Sequence, residues 1–147
     1  ELAFVRDYLQ LEKFRYRNRL RFTLDEAGPV AAHRLPALTL QPLVENAIRH
    51  GIASRIDGGE IRMEIKAQPQ HVRIEIWNQF DPADGPPDLR SETIFRENHA
   101  LANIRERLRL SCGPDAAIQL EQARADWTLV TLTLPRHEEP ADAHSGR

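Results

Sequence analysis

The sequence predicts an α+β domain, a two-layer sandwich in which helices cover one face of a mixed, mostly antiparallel sheet. Three observations carry this. Two adjacent segments, "EIRMEIKA" and "HVRIEIWN", alternate apolar and polar residues with the period of a half-buried strand. A third, "TLQPLVENAIRHGI" at 39–52, places Leu40, Leu43, Val44, Ala47 and Ile48 at the i, i+3, i+4, i+7, i+8 spacing of one helix face. Helices and strands follow one another in the order αβα, hairpin, α, ββ, without the regular alternation of a parallel α/β fold.

Residues 1–18 place Phe4, Val5, Tyr8, Leu9 and Leu11 at helical spacing. These apolar residues serve either the core or an interface with another helix or protomer; periodicity alone leaves both open. "RLRFTLDEAGP" reads as a short strand closed by a Gly-Pro turn. Thr39 is the expected N-cap of the next helix, Pro42 is tolerated in its first turn, and Gly51 is placed to end it. Gln68-Pro69-Gln70 joins the two alternating strands into an antiparallel hairpin. Residues 79–98 contain three prolines and a glycine and read as a long loop of the kind used as lids. "ALANIRERLRLS" is a third helix, with Leu101, Ile104 and Leu108 on one face, and "AAIQLEQ" and "WTLVTLTLP" are the closing strands. The polar segment 136–147 is expected to be a disordered tail.

At 147 residues the chain suits one domain with a real core. A formal net charge of −2 gives no field that would recommend a nucleic-acid partner. The single cysteine, Cys112, rules out an internal disulfide. The histidines and cysteine show no metal-ligand spacing. No apolar run approaches the ~20 residues of a membrane span. The chain starts inside a helical pattern, so a fragment of a longer protein is expected, with any membrane portion upstream.

Two features ask for more than a fold. The polar face of the 39–52 helix carries Glu45, Asn46, Arg49 and His50 in little more than one turn. The core-facing positions of two strands run Val72, Ile74, Ile76 to Asn78, and Leu134, Leu132, Val130 back to Thr128. Each ends in a hydrogen-bonding side chain, and a buried amide without a partner costs roughly 1–3 kcal/mol. Polar strand ends often meet only solvent, and polar helix faces are often only solvated. Taken together the two features favour a pocket.

Three stretches, "VRDYLQLEKFRYRNRL" at 5–20, "LQPLVENAIRHGI" at 40–52 and "ALANIRERL" at 100–108, resemble the GHKL (Bergerat) ATP-binding fold. They are most similar to the autolysin-sensor (LytS-like) and alginate-sensor (AlgZ-like) histidine kinases. The resemblance covers residues 1–135. It implies ATP and Mg²⁺ as cofactors, with Asn46 as the magnesium ligand through its side-chain oxygen and Glu45 as the catalytic acidic residue beside it. It places Arg49 within reach of a phosphate and His50 in the motif's "KHG"-type ending. Asn78 stands where most members have an adenine-binding Asp, and Thr128 supports the same contact. Ala100, Leu101 and Asn103 fall at the phosphate end of the site.

Glycines usual to the family are replaced by Asn98, His99 and Ala100, and Trp127 stands before Thr128. Glycines let backbone N–H groups approach phosphates. A helix start at Ala100 still offers an N–H.

The implied organisation is a helix, 1–18, leading from an upstream dimerisation and phosphoacceptor region, then a catalytic domain over 19–135. The implied activity is transfer of the ATP γ-phosphoryl to an upstream histidine and onward to a response regulator receiver domain. Upstream dimerisation helices would make the full-length protein a homodimer, and the domain would be the cytoplasmic part of an inner-membrane sensor. The segment by itself is expected to bind nucleotide without phosphorylating itself. A module that keeps the fold for dimerisation or signalling and has lost nucleotide binding is the alternative. A serine-directed, anti-sigma-type kinase is a third, opposed by the LytS-like first helix.

Overall fold

A computed structural model describes residues 1–28, 35–81, 99–124 and 126–136. The tail at 137–147 and most of the long loop, 82–98, lie outside the described residues. The elements are α1 (Leu2–Tyr16), a 3₁₀ turn (Arg17–Arg19), β1 (Leu20–Ala27), α2 (Leu40–Ile48) with a π turn (Arg49–Ala53), β2 (Gly59–Ala67), β3 (His71–Gln79), α3 (His99–Cys112), β4 (Ala117–Arg124) and β5 (Trp127–Pro135).

The five strands form one sheet in the order β1-β2-β3-β5-β4. Only β1 and β2 run parallel; the other three pairings are antiparallel. The expected hairpin forms between β2 and β3, and Gln68 N donates to His71 O at its neck, 2.8 Å.

The period-two pattern decides which face is covered. Ile61, Met63 and Ile65 of β2, Val72, Ile74 and Ile76 of β3, and Leu132 and Leu134 of β5 are buried in one cluster. The helices complete it with Val5 and Leu9, with Leu43, Val44, Ala47 and Ile48, and with Leu101, Ile104, Leu108 and Cys112. Burial pushes the Cys112 thiol pKa up.

The opposite face of β2 and β3 is charged. Glu64 and Glu75 are direct cross-strand partners, a repulsive placement, and cations answer it. Lys66 Nζ lies 2.7 Å from Glu64, and Arg73 Nε 2.7 Å from Glu75. The alternation is less clean in β5. Leu129 and Thr131, on the outer face, are buried, whereas inward Val130 is only half-buried. Beside them half-buried Trp77 pairs with Leu129, and the Arg62 guanidinium stacks over the Trp127 ring at 5.9 Å.

The two readings of the first helix separate by face. Val5 and Leu9 are fully buried, and Tyr8 and Tyr16 pack against the core. Phe4, Leu11 and Phe14 point outward, 52%, 67% and 81% exposed. Val5 and Leu9 thus follow the core reading, while Phe4 and Leu11 do not.

Two expectations for α2 are corrected. Thr39 occupies the N-cap position, but its hydroxyl donates backward to Pro36 O, 2.7 Å, and caps nothing. The cap comes from Glu1, 39 residues away, whose Oε1 accepts from Leu40 N at 2.8 Å and Gln41 N at 3.3 Å. A carboxylate suits this end, where free N–H groups and the helix dipole both favour negative charge. Gly51 does not end the helix either. The chain continues through the π turn to Ala53, and Gly51 serves a close contact described below.

Glu1 therefore ties the start of α1 to the start of α2. Glu1→Ala is expected to lower stability by about 1 kcal/mol, the usual worth of an N-cap, and Glu1→Gln by less because it keeps an acceptor. Urea denaturation of the three proteins measures this, and equal midpoints would remove the cap from the account.

Candidate functional site

The end of the sheet where β3 stops and β5 starts is built by backbone proximity. Gly51, in the π turn after α2, lies so close to β3 that a Cβ there would sit 2.5 Å from Gln79 O and 3.2 Å from Asn78 Nδ2. Gly59, opening β2, lies against Gly51 in turn: its Cβ would be 3.0 Å from Gly51 O. Three backbones converge here, and only residues without a side chain allow it.

Asn78 and Thr128 are direct partners across β3 and β5. Thr128 Oγ1 donates to Asn78 Oδ1 at 2.8 Å, and Asn78 Nδ2 donates to Gln79 O at 3.2 Å. Asn78 is 7% exposed, so this pair is the polar floor at the end of an otherwise apolar sheet face.

Asn46 lies five residues before Gly51, about 7–8 Å along the helix by a 1.5 Å rise. Its Oδ1 accepts from Arg49 Nη2 at 3.3 Å, while its Nδ2 is buried with no hydrogen-bond partner among the described residues. Glu45 is held one turn back, where Gln41 Nε2 donates to its Oε1 at 2.8 Å. On the α1 side, Tyr8 is raised above the ordinary phenol pKa by burial and then by the nearby Glu12 and Glu45 carboxylates. Burial, reinforced by the Arg49 charge, holds His50 below the ordinary imidazole value, which favours a neutral ring.

The α3 residues stand differently. Ala100 is exposed at the helix start, and Asn103 is exposed with no hydrogen bond among the described residues. The Leu101 side chain is buried in the core. The structure therefore groups Asn78 with Thr128, sets Gly51 against them, and pairs Asn46 with Arg49; it forms no hydrogen bond from Asn103 to that group. Asn98 lies outside the described residues.

Several supporting residues escaped sequence reasoning. Arg55 donates from Nε to Gly58 O at 2.7 Å and from Nη1 to Phe80 O, stitching the loop after α2 to the end of β3. Arg19 donates to Ile52 O and Arg55 O from the β1 side. From α3, Arg107 donates to Ala37 O at 2.7 Å and Leu38 O at 3.1 Å, just before α2. Sequence offers no signal for an arginine whose acceptors are backbone carbonyls. The Gly58-Gly59 pair ahead of a strand is the kind of signal that could have marked a close backbone approach.

A metal here would depend on its ligand. Among the described residues no three His, Cys, Asp or Glu side chains are grouped to hold one. Asn46 offers a single hard oxygen, which fits an ion that takes its remaining ligands from phosphates and water.

No protein-family model matches the chain. Over 142 residues it is 31% identical to the sensor histidine kinase BtsS of Escherichia coli (strain K12), covering 95% of this chain and 24% of BtsS. Over 155 residues it is 30% identical to the sensor protein LytS of Enterococcus faecalis, covering 100% of this chain and 26% of LytS. The chain thus spans about a quarter of the length of these relatives. The solved catalytic domain of histidine kinase ThkA matches with a TM-score of 0.65 at 16% identity, covering 90% of this chain and 92% of that one. ThkA in complex with the response regulator TrrA matches with a TM-score of 0.61 at 19% identity, covering 92% of this chain and 40% of that one.

The fold is that of a histidine kinase catalytic domain. Over nearly its whole length the chain is similar to sensor histidine kinases of the LytS type. No helix among the described residues is long and apolar enough to cross a membrane.

Gly51→Ala tests the convergence directly. The new methyl meets a backbone carbonyl that cannot rotate away, so a loss of about 1–3 kcal/mol is expected by chemical denaturation. Unchanged stability would mean that α2 and β3 separate freely.

Proposed function

We propose that this chain binds ATP with Mg²⁺ between α2 and the β3–β5 end of the sheet, as the catalytic domain of a two-component sensor histidine kinase. The observation that carries the reading is the contact of Gly51 with Asn78 and Gln79, which brings the helix bearing Glu45 and Asn46 to the strand ends bearing Asn78 and Thr128. Asn78 and Thr128 take the base. Asn46 offers its oxygen to magnesium, which when bound neutralises phosphate charge. Arg49, exposed and bonded to Asn46 at 3.3 Å, swings to a phosphate. Ala100 offers a backbone N–H at the start of α3, and Leu101 and Asn103 stand at the same end.

Catalysis in this reading is mostly positioning. Glu45, oriented by Gln41, takes the proton released as the acceptor imidazole nitrogen bonds to the γ-phosphorus and the bond to the ADP oxygen breaks. The phosphoryl group then passes to an aspartate of a receiver domain. The ThkA complex with its response regulator supports a partner of that class. Upstream helices that dimerise the whole protein, and a cytoplasmic position beneath an inner-membrane sensor, belong to the same proposal.

A second reading has its own observation. Asn98, His99 and Ala100 stand where glycines would open the backbone to phosphate, and Trp127 precedes Thr128. A module that keeps the fold for dimerisation or signalling fits those residues. Calorimetric titration with Mg-ATP separates the two. The kinase reading expects saturable binding, weakened about 10- to 100-fold in Asn46→Ala through loss of a polar contact to charge. No binding at millimolar Mg-ATP would leave the non-binding module.

A further inference from the structure

The strand pairings fix the directions of α2 and α3. Gly51, just past α2, lies against Asn78 and Gln79, so α2 runs toward the candidate site. α3 runs away from it. Cys112 ends α3 five residues before Ala117, which opens β4 opposite Thr133, whereas the site lies at the other end of β5, at Thr128. The two helices are therefore antiparallel, with a near end at the site and a far end away from it. α1 packs on β1, α2 on β3, and α3 on β4 and β5, so α2 lies between the other two.

Helical spacing then decides what faces what. At about 100° per residue, Glu45 and Asn46 flank opposite sides of the buried row Leu43, Val44, Ala47 and Ile48. Glu45 is on the α1 side, close enough for its charge to act on Tyr8, which leaves Asn46 on the α3 side. On α3, Ala100, Asn103 and Arg107 share one flank, an arc of about 60°. Arg107 shows which way that flank faces: its Nη1 donates to Ala37 O at 2.7 Å and to Leu38 O at 3.1 Å, immediately before α2. Arg107 lies about 10.5 Å along α3 from Ala100, and Leu40 about 9 Å along α2 from Asn46. Joined at the far end, the two helices thus bring Asn46 and the start of α3 to the same level at the near end.

The join is strained. Leu38 is held at φ 60°, in the left-handed region that a leucine rarely enters, and its side chain is exposed, so packing does not keep it there. Such strain persists where the surroundings over-determine it. Here Arg107 takes the Leu38 carbonyl, and the Thr39 hydroxyl donates back to Pro36 O.

We propose that Arg107 is a positioning residue for phosphate binding: by clasping Ala37 and Leu38 at the far end of the α2–α3 pair, it sets the gap at the near end between Asn46 and the first turn of α3. It touches no ligand itself. This rests on the nucleotide reading above and deepens it. In that reading the base lies against β3 and β5, and only the phosphates lie between the two helices. Loss of the clasp therefore acts on one part of the ligand and spares the other.

The experiment is calorimetric titration of wild type, Arg107→Ala and Arg107→Lys with Mg-ATP and with adenosine, together with amide hydrogen exchange of each protein. Arg107→Ala is expected to bind Mg-ATP roughly tenfold more weakly, the effect of losing one hydrogen bond made by a charged group, and to bind adenosine as tightly as wild type. Arg107→Lys keeps a charged donor without the planar guanidinium and falls between the two. Without nucleotide, exchange over residues 99–106 is expected to quicken in Arg107→Ala, while β3, residues 71–79, keeps its wild-type protection.

Equal losses for Mg-ATP and adenosine, or exchange that rises throughout the chain, mean a general loosening and overturn the positioning role. Unchanged Mg-ATP binding overturns it as well. Should Arg107→Ala not fold, Arg107→Lys decides by the same comparison, because its smaller loss must still fall on Mg-ATP alone. Should wild type bind neither ligand, the nucleotide reading falls, while the exchange pattern still decides whether Arg107 holds α3 against α2.

Discussion

The arrangement depends on one close approach, that of Gly51 to Gln79 and Gly59. Hydrophobic burial brings α2 onto the sheet, because Leu43, Val44, Ala47 and Ile48 face Ile61, Met63, Ile74 and Ile76 in one core. Burial is not directional, and it leaves open how far the helix end advances over the strand ends. The glycine contact settles that distance. With any larger residue at 51, the end of α2 would stand off from β3, and Asn78 would meet solvent instead of a helix.

Side chains from elsewhere then fix the irregular backbone around this point. Glu1 satisfies the first N–H groups of α2, Arg107 takes the carbonyls of Ala37 and Leu38 before it, and Arg19 and Arg55 take the carbonyls after it. Each bond joins a charged group to a backbone dipole, the stronger kind of hydrogen bond. They occur where the chain leaves regular structure and its polar groups lack ladder partners. Leu38 shows the need, since it is held at φ 60° between the Arg107 bond and the start of α2. The helix bearing the candidate site is thus anchored at both ends by residues distant in sequence.

Sequence reading succeeded where one period ruled a whole segment. The hairpin, the order of elements and the apolar stripe of α2 follow from spacing, because each face of those elements meets one environment. The Asn78–Thr128 pair was also legible, as the point where two inward-facing rows turn polar. Reading failed where a residue answers to a distant partner. Thr39 has the right chemistry for a cap, yet Glu1 does the capping. Gly51 follows a helix in the usual stopping place, yet its role is steric. In α1, helical spacing alone could not separate the buried row, Val5 and Leu9, from the exposed Phe4, Leu11 and Phe14. In β5, the apolar patch around Trp77 buries Leu129 on the face that alternation would give to solvent.

The local chemistry of Asn46 bears on what α2 holds. Its oxygen faces a guanidinium at 3.3 Å, a long contact for a charged donor, while its buried Nδ2 has no partner among the described residues. An amide serving only the fold would be expected to satisfy its buried donor, since leaving one unmade costs about 1–3 kcal/mol. Here the donor is unmet and the acceptor is only loosely occupied, by a cation on an exposed, mobile-length side chain that can withdraw. In the reading proposed above, this is a ligand position with a cationic placeholder. A bound magnesium would replace one positive partner with another at the same oxygen, and the guanidinium would then be free for phosphates. The charge pattern of "ENAIR" is thereby accounted for as a unit, with an oxygen to share and a cation to move, on a helix whose end is pinned against the floor of the site.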